Sequence, residues 1–512
     1  MAKNSLGREI PAVWKGRTLD PYLDPWSRQP EVLRATRPLV RRAPGDSKLL
    51  PSLRAAIEAC GLKNGMTIST HHALRNGDKL LNLLVQEMDA MGLRDMGIAS
   101  SSIHAVHAEI IPYIRKGVIT RIETGVNGLI GELVSKGELD CPIVVRSHGG
   151  RARSLVTGEV EVDAAFIAAP CCDVTGNLNG VAGPAACGSL GYAHTDARYA
   201  RKVVAVTDHL VRFPAAPISI SQSDVDYVVQ IESLGDPSKI VSTTTRLTRD
   251  PAGLLIAKYA AEVIEASGLL KDGFSFQTGA GGTSLAVADL VHRKMAEGKI
   301  KGSFGCGGIT GYFVDMLEQG YFETLFDVQC FDLKAVESMR RNPGHREISA
   351  DLYANPFNRG AVVNMLDCVI LGATEVDVDY NVNVNTESSG YLLHNTGGHC
   401  DVAAGAKLAI VVAPSMRGRL PIVRDAVTTV TTPGETVDVI VTERGICVAD
   451  KHEDLKKELL RRNLPVKDIR QFHEEITQMT GVPRPIEFED EVVALIEYRD
   501  GSIIDVVRRV KE

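Results

Sequence analysis

The chain has 512 residues, of which 44% are hydrophobic and 24% are charged, and its formal net charge is −7. This length predicts two to four domains with sizeable buried cores, and the negative charge disfavours a nucleic-acid partner. No apolar run reaches the length of a membrane span and no signal-peptide core opens the sequence, so we expect no membrane partner. The ten cysteines contain no CxxC pair, which is typical of reduced thiols in a cytoplasmic protein.

Residues 1–50 are rich in proline and arginine and lack a long apolar period, which predicts an irregular N-terminal arm. Further along the chain, extended segments, glycine turns and amphipathic helices alternate, as in α/β proteins. The clearest early helix is predicted over 78–91. Its apolar stripe is formed by Leu80, Leu84, Met88 and Met91.

The chain repeats itself with an offset near 205 residues. "LKNGMTIST" at 62–70 matches "LKDGFSFQT" at 270–278, and three further blocks keep the same order. These three pairs are 113–124 with 315–327, 163–179 with 367–383, and 201–206 with 406–411. Four collinear matches predict two similar open α/β domains, with a ligand site between the carboxyl ends of their strands. The predicted boundaries are 51–235 and 236–450.

Short polar residues recur in both copies of the repeat. Asp173 and Asn177 in the first copy match Asp377 and Asn381 in the second. Because such side chains usually fix turns through local backbone hydrogen bonds, we assign them a structural role first.

The stretch "LKDGFSFQTGAGGTSLAVADL" at 270–290 predicts a strand, a glycine loop and a helix. Gly279, Gly281 and Gly282 would bring backbone N–H groups close to an anion at the start of the helix. Ser284 departs from the G-x-G-x-x-G spacing, and there is no P-loop lysine, so a thioester oxygen is favoured over a phosphate. The alternative is a tight turn without a ligand.

Histidine and arginine residues cluster in two loops of the first predicted domain, "HHALRNG" and "RSHGGR". Guanidinium groups provide the planar paired donors that carboxylates require, and imidazoles act as ligands or general acids. No H-E-x-x-H arrangement occurs, so we expect no metal. The candidate substrate-binding residues are His71, His72, Arg75, Arg146, His148 and Arg151.

Residues 451–512 differ from the two repeats. They predict two amphipathic helices, the second ending near Gly481, and a hairpin that turns at Asp500–Gly501. We expect this tail to pack on the second domain.

Two segments resemble coenzyme A transferases. "NTGGHCDVAAGAK" at 395–407 is similar to a segment of their β half, and "CCDVTGNLN" at 171–179 is similar to one of their α half. The tandem of both halves resembles the citrate lyase alpha subunit family over essentially the whole chain. The resemblance implies two tandem, internally duplicated coenzyme A transferase-like open α/β domains, an architecture shared with sugar-phosphate isomerases. It adds Asn395, Gly397 and Gly398 to the expected substrate-binding residues.

The resemblance also implies an activity. Such a subunit exchanges acetate for citrate on an acyl-carrier-protein thioester during citrate fermentation. It would hold no cofactor tightly and would act on the phosphopantetheine-type, coenzyme A-derived arm of the carrier or on coenzyme A thioesters. Its expected partners are a beta (lyase) subunit and a gamma (carrier) subunit, with the chain itself a homo-oligomer in a cytoplasmic complex.

One departure concerns the nucleophile. General coenzyme A transferases use a glutamate, whereas the matching stretch "FETLFDVQCFD" at 322–332 has Gln329 in about that place. The resemblance therefore implies a ternary complex without a covalent enzyme intermediate, and we group Gln329 with the glycine loop as the catalytic candidates. A general acyl-CoA:carboxylate transferase, a thioester hydrolase and a non-catalytic ligand-binding subunit remain alternatives. The missing glutamate argues against the first two, and the special loops at two matching strand ends argue against the third.

Overall fold

Two mainly parallel β-sheets connected by helices form the framework of the protein. The computed structural model describes residues 2–14, 16–31, 33, 42–241 and 246–511. The first sheet is parallel throughout, and its strands follow the spatial order Leu49–Leu50, Tyr227–Gln230, Lys202–Thr207, Ala164–Ala168, Thr67–Ser69, Met96–Ile98 and Ile119–Ile122.

The second sheet is parallel except at one edge, where Gly445–Val448 runs antiparallel to its neighbour. Strand Leu408–Val412 consists entirely of buried residues, as expected for a strand that is covered on both faces. The spatial order is His345–Glu347, Phe322–Cys330, Gly302–Ile309, Phe276–Thr278, Cys368–Gly372, Leu408–Val412, Val439–Thr442 and Gly445–Val448. The α/β class predicted from the sequence is confirmed.

Smaller sheets complete the strand set. Two three-stranded sheets flank the large ones and consist of Leu178–Asn179, Cys171–Asp173 and Leu210–Val211, and of Val382–Asn383, Glu375–Asp377 and Val423–Arg424. A further short pair is Met416–Arg417 with Leu420–Pro421.

Helices alternate with the strands along the chain. In the described part of the chain, no helix is long and apolar enough to cross a membrane. The helices are Leu53–Cys60, Leu80–Ala90, Ile111–Arg115, Leu129–Ser135, His148–Thr157, Ala193–Tyr199, Pro251–Ala266, Gly282–Gly298, Gly311–Glu318, Leu333–Arg341, Ala350–Ala354, His399–Gly405, Glu453–Arg461 and Ile469–Thr480.

The predicted local elements are confirmed where the apolar spacing was clearest. Segments 62–70 and 270–278 contain the central strands Thr67–Ser69 and Phe276–Thr278, and neither segment is helical. The glycine loop leads into helix Gly282–Gly298, as predicted. The stripe of the early helix is buried at Leu80, Leu84 and Met88.

The C-terminal tail forms the predicted helices and hairpin, but the hairpin lies elsewhere than expected. Strand Phe488–Glu497 pairs in parallel with Ile143–Arg146, which belongs to the first half of the chain. Its partner in the hairpin is Ile503–Val510, and Gly501 at the turn has a φ of +96°. The hairpin is therefore not packed on the second half alone, although Asp505 Oδ2 accepts from Val430 N of that half at 2.8 Å. Helix Ile469–Thr480 packs on the core of the second half.

The N-terminal arm is less irregular than predicted. Ala2–Lys3 pairs with Glu9–Ile10, and Tyr22 is buried with its ring 5.1 Å from that of Tyr498. A second short pair is Val13–Trp14 with Arg17–Thr18. Leu49–Leu50, inside the predicted arm, is an edge strand of the first sheet. Positions 1, 15, 32 and 34–41 of the predicted arm lie outside the described residues.

Candidate functional site

The carboxyl ends of strands from both large sheets meet at one place. The side-chain amide of Gln329, near the end of strand Phe322–Cys330, donates from Nε2 to the carbonyl oxygen of His72 at 2.8 Å. The backbone N–H of His148 donates to the carbonyl oxygen of Gly397, also at 2.8 Å. These contacts join loops that follow strands of different sheets, where open α/β folds place their ligands.

Rings from separate loops stack at this junction. The Tyr192 ring lies 4.4 Å from the His72 ring and 4.6 Å from the His148 ring, measured between centroids. His104 lies 5.2 Å from His72. Together with Arg75 and Gln329, the residues His72, His148 and Tyr192 form what we call the junction site.

The hydrogen bonds of His72 are compatible with a proton on Nε2. Its backbone N–H donates to Ser101 Oγ at 3.0 Å, and the same Oγ lies 2.6 Å from His72 Nδ1. When the serine hydroxyl accepts from the backbone and donates its own proton to Nδ1, a neutral His72 ring carries its proton on Nε2. Nε2 has no hydrogen-bond partner among the described residues.

The imidazoles of the site are neutral at physiological pH. Burial lowers the pKa of His72 well below its usual value, and it lowers the pKa of both His104 and His148 to about 3. A neutral imidazole donates a hydrogen bond without adding charge, so the positive charge of the junction site resides on Arg75.

Arg75 carries a charge that no described carboxylate offsets within 4 Å. Its guanidinium donates to the carbonyl oxygen of Ile240 at 3.2 Å and lies 4.9 Å from the Phe331 ring centroid. Burial lowers its pKa from the usual value. The backbone φ of +51° is uncommon for a non-glycine residue, and such strained positions cluster at ligand sites. A half-buried arginine without a carboxylate partner is suited to bind an anionic ligand.

Arg146 does not face the junction site, in contrast to our expectation. It is 2% exposed and forms ion pairs with Glu123 at 2.6 Å and Glu497 at 2.9 Å. These carboxylates neutralise the guanidinium, which argues against Arg146 as a citrate ligand. It instead joins the C-terminal hairpin to the first half of the chain.

The side chain of Arg151 is likewise paired with a buried carboxylate. Its guanidinium binds the carboxylate of Asp196 at 2.7 and 3.0 Å, and it donates to the carbonyl oxygen of Ala99 at 2.6 Å. Both charged side chains are almost fully buried. These partners also argue against Arg151 as a citrate ligand, and they indicate that it anchors helix His148–Thr157 on the first sheet.

This anchoring role gives a testable expectation. Arg151→Gln leaves the Asp196 carboxylate buried without its partner, which typically costs about 3–5 kcal/mol. We expect a marked fall in the thermal unfolding midpoint rather than a raised citrate requirement. An unchanged midpoint combined with weaker citrate binding would return Arg151 to the list of ligands.

Three other expected ligands serve mainly to shape the site. The ring of His71 turns away, with Nε2 3.1 Å from the carbonyl oxygen of Ala168, and its Nδ1 is enclosed. Asn395 reaches Ser101 of the opposite half, and its Oδ1 is also enclosed. A Cβ at Gly398 would lie 2.9 Å from Tyr353 Oη, so packing explains this glycine. His71, Asn395 and Gly398 thus hold the loops in place, and direct ligation by them is not supported.

The glycine loop contains two kinds of glycine. A Cβ at Gly282 would lie 2.7 Å from the carbonyl oxygen of Arg246, so the backbone contact requires this glycine. A Cβ built on Gly279 or Gly281 would meet no atom closer than 3.8 Å, and neither glycine has a positive φ. Helix Gly282–Gly298 begins without a capping side chain, which leaves N–H groups of its first turn without intrahelical partners. Folding therefore explains Gly282 but not Gly279 or Gly281.

A buried polar cluster lies beside the junction site. Asp327, Cys330 and His345 each offer a ligand atom, and these atoms lie within 4.8 Å of one another, which is compatible with a metal ion. In the structure they bind each other: His345 Nε2 lies 2.9 Å from Asp327 Oδ2, and Cys330 Sγ lies 3.0 Å from the same oxygen. This network holds the end of the strand that carries Gln329.

Tyr192 and Ser101 are site residues that the sequence did not predict. Tyr192 lies in the glycine-rich stretch "CGSLGYAH" at 187–194, and its side chain is 3% exposed. The clustering of glycines before an aromatic residue was the available signal, but nothing local indicates that this ring stacks on His72, 120 positions earlier. Ser101 follows a strand end like many structural serines.

Comparison with known proteins adds to this geometry. The family model described as "Citrate lyase, alpha subunit (CitF)" matches residues 46–510. The citrate lyase alpha chain of Klebsiella pneumoniae is 48% identical over 465 residues, which are 91% of this chain and 92% of that one. The Escherichia coli K12 citrate lyase alpha chain is 47% identical over 468 residues, which are 91% and 92% of the two chains.

The chain is also similar to solved structures. The alpha subunit of citrate lyase from Streptococcus mutans, solved in complex with citrate, has 45% identity and a TM-score of 0.96, covering 99% of this chain and 100% of that chain. A malonate decarboxylase alpha subunit from Acinetobacter baumannii has 16% identity and a TM-score of 0.62, covering 85% and 89%. At that identity the second likeness shows a shared fold alone.

Proposed function

This chain belongs to the citrate lyase alpha subunit family, and from that premise we propose that it exchanges acetate for citrate on an acyl-carrier thioester. The observation that carries the proposal is Arg75, whose charge no carboxylate in the described residues offsets. Beside it, His72 Nε2–H and the hydroxyl of Tyr192 lack protein partners among those residues. Three unpaired donors in the junction site fit a polycarboxylate.

The exchange proceeds in two balanced steps. A citrate carboxylate oxygen attacks the acetyl thioester carbonyl carbon, and the C–S bond breaks to give a mixed anhydride of acetate and citrate with a free thiolate. The thiolate then attacks the citryl carbonyl carbon of the anhydride, and the C–O bond breaks to release acetate and leave citryl thioester. No enzyme nucleophile takes part, which agrees with an uncharged Gln329 in the site.

The chain's own groups have separate tasks in these steps. Arg75 neutralises a citrate carboxylate, and the neutral His72 ring donates from Nε2 to another oxygen. The open backbone at Gly279 and Gly281 receives the thioester, whose carbonyl oxygen gains negative charge at each attack. N–H groups at a helix start can hold that charge without reorganising. Gly397 belongs to the wall of this site, since its carbonyl oxygen accepts from His148 N.

The two halves of the chain are, in this proposal, copies of one coenzyme A transferase-like unit. Thr67 N donates to Asp163 Oδ2 at 2.9 Å, and Ser275 N donates to Asp367 Oδ2 at the same distance. The turns after the matching strands also agree, with Asn177 bonded to Asp173 and Asn381 bonded to Asp377. The domain boundaries of 51–235 and 236–450 follow from this duplication, with the first domain extended to include edge strand Leu49–Leu50. The hydrogen bonds support the structural role assigned to the turn residues.

We extend the proposal to the partners and the thioester. The chain would work with a lyase subunit and a carrier subunit whose phosphopantetheine-type arm presents the acyl group, without a tightly bound cofactor of its own. Homo-oligomerisation within that complex and a cytoplasmic location remain predictions. Family membership supports a multisubunit assembly, because the name "alpha chain" of the relatives denotes one component of a larger enzyme.

The direct test is an exchange assay on the purified chain. Acetyl-CoA and citrate are incubated with it, and citryl-CoA and acetate are measured by mass spectrometry. We expect both products in equal amounts, and we expect the mass of the intact chain to stay unchanged with acetyl-CoA alone. A covalent acyl or coenzyme A adduct would favour a general transferase, and hydrolysis without citryl-CoA would favour a hydrolase. The non-catalytic alternative would be left if neither reaction occurred.

A further inference from the structure

We propose that Gln329 recognises the substrate's hydroxyl group and thereby distinguishes a hydroxylated tricarboxylate from an analogue that lacks the hydroxyl. The inference rests on the proposed function, because it concerns the same junction site. It assigns to Gln329 a role in specificity rather than a covalent or acid–base role.

The orientation of the Gln329 amide follows from its one hydrogen bond. Nε2 donates to the carbonyl oxygen of His72 at 2.8 Å. The reversed amide would place two oxygen acceptors face to face at that distance, which is repulsive. The oxygen Oε1 therefore points away from the His72 carbonyl group, and the contact with His72 fixes its direction.

Oε1 is an acceptor without a protein donor in the described residues. The Gln329 side chain is buried, with 2% exposed. Oε1 itself is nevertheless not fully enclosed by protein atoms, so it borders open space. A polar atom in a buried side chain is normally hydrogen-bonded, so a donor from a ligand is the expected partner.

The chemistry of ionised citrate supplies that donor. Its three carboxylates only accept hydrogen bonds, and they suit the donors Arg75, His72 Nε2–H and Tyr192 Oη. Its hydroxyl is the sole O–H group of the ion. The Gln329 amide oxygen accepts hydrogen bonds, whereas the other three groups donate them. It therefore matches the citrate hydroxyl, which those donors do not need to bind.

A glutamate in the same place would act differently. Its carboxylate would repel the carboxylates of the substrate and would lose the donation to the His72 carbonyl oxygen. The neutral amide of Gln329 offers an acceptor without negative charge. This explains why a glutamine suits a site for a hydroxylated polycarboxylate.

The test compares citrate with tricarballylate, which is citrate without its hydroxyl group. kcat/KM for each acid is measured with acetyl-CoA, for the wild-type chain and for Gln329→Met, which keeps the side-chain length. We expect the variant to lose about 10- to 100-fold with citrate, the usual size of one lost hydrogen bond to a substrate hydroxyl in such a site, and less than threefold with tricarballylate. The preference for citrate should therefore collapse.

Gln277 provides the matched control. It is a buried glutamine in strand Phe276–Thr278, which lies two strands away in the same sheet, and both ends of its amide are paired within the protein, with Tyr353 and Cys306. Gln277→Met is expected to lower the thermal unfolding midpoint while the ratio of citrate to tricarballylate stays as in the wild type.

Each further outcome is decisive. Equal losses for both acids in Gln329→Met would leave the preference for citrate unchanged; this would overturn the inference and reduce Gln329 to a support for the His72 loop. A wild-type chain that converts tricarballylate as well as citrate would also overturn it. Failure of the proposed function looks different, because the wild-type chain would then convert neither acid.

Discussion

Replacement of Arg75 with glutamine is expected to lower kcat/KM for citrate by about 30- to 1000-fold, which corresponds to ~2–4 kcal/mol for a lost partner of a desolvated charge. Glutamine keeps a polar side chain but removes the charge that, in the proposed mechanism, meets the citrate carboxylate. Arg75→Lys retains the charge without the paired donors and should recover part of the loss. Steady-state kinetics with saturating acetyl-CoA measures both variants.

The same change should leave the fold nearly intact. The Arg75 guanidinium makes one hydrogen bond to the protein, with the Ile240 carbonyl oxygen, and no described carboxylate loses a partner when it is removed. Arg201→Gln is the control, because it breaks an exposed ion pair with Glu161 that contributes little to stability. If Arg75→Gln binds citrate as the wild type does, the unpaired charge has another role and the placement of citrate beside it fails.

The arginines show where sequence reasoning reaches its limit. Residue type correctly indicates which side chains can bind a carboxylate, and Arg75, Arg146 and Arg151 all meet that criterion. The partner that occupies Arg146, Glu497, lies 351 positions away in a hairpin that pairs with an unexpected strand. Only the folded chain shows which guanidinium groups the protein itself neutralises.

Local sequence patterns predicted the helices and strands better than they predicted the ligands. Apolar spacing predicted helix Leu80–Ala90 and the helix after the glycine loop, because buried faces require that spacing. The collinear repeat indicated matching strands, and the structure contains both of them as central strands. The stack of Tyr192 on His72 and His148 was not predicted, because it brings together three loops whose proximity depends on how the strands are ordered.

The glycine loop permits a change that separates chemistry from folding. Gly281 has a φ of −71° and a ψ of 148°, which valine adopts readily. The atom nearest to a Cβ there is Ser284 Oγ, at 4.0 Å. Gly281→Val should therefore fold normally, whereas Gly282→Ala should be less stable because its Cβ would press on the backbone of Arg246.

We expect Gly281→Val to lower the rate of citryl thioester formation by about 10²- to 10³-fold, the usual cost of losing one oxyanion donor. In the proposed mechanism, the valine side chain would occupy the space through which the thioester carbonyl approaches the N–H groups at the start of helix Gly282–Gly298. Citrate binding at Arg75, measured by calorimetry without thioester, should persist. Gly298→Ala, at the other end of the same helix and about 24 Å away at 1.5 Å per residue, controls for a changed helix. A folded Gly281→Val chain with normal turnover would show that this loop is a turn without a ligand, and the thioester would then have to bind elsewhere in the junction.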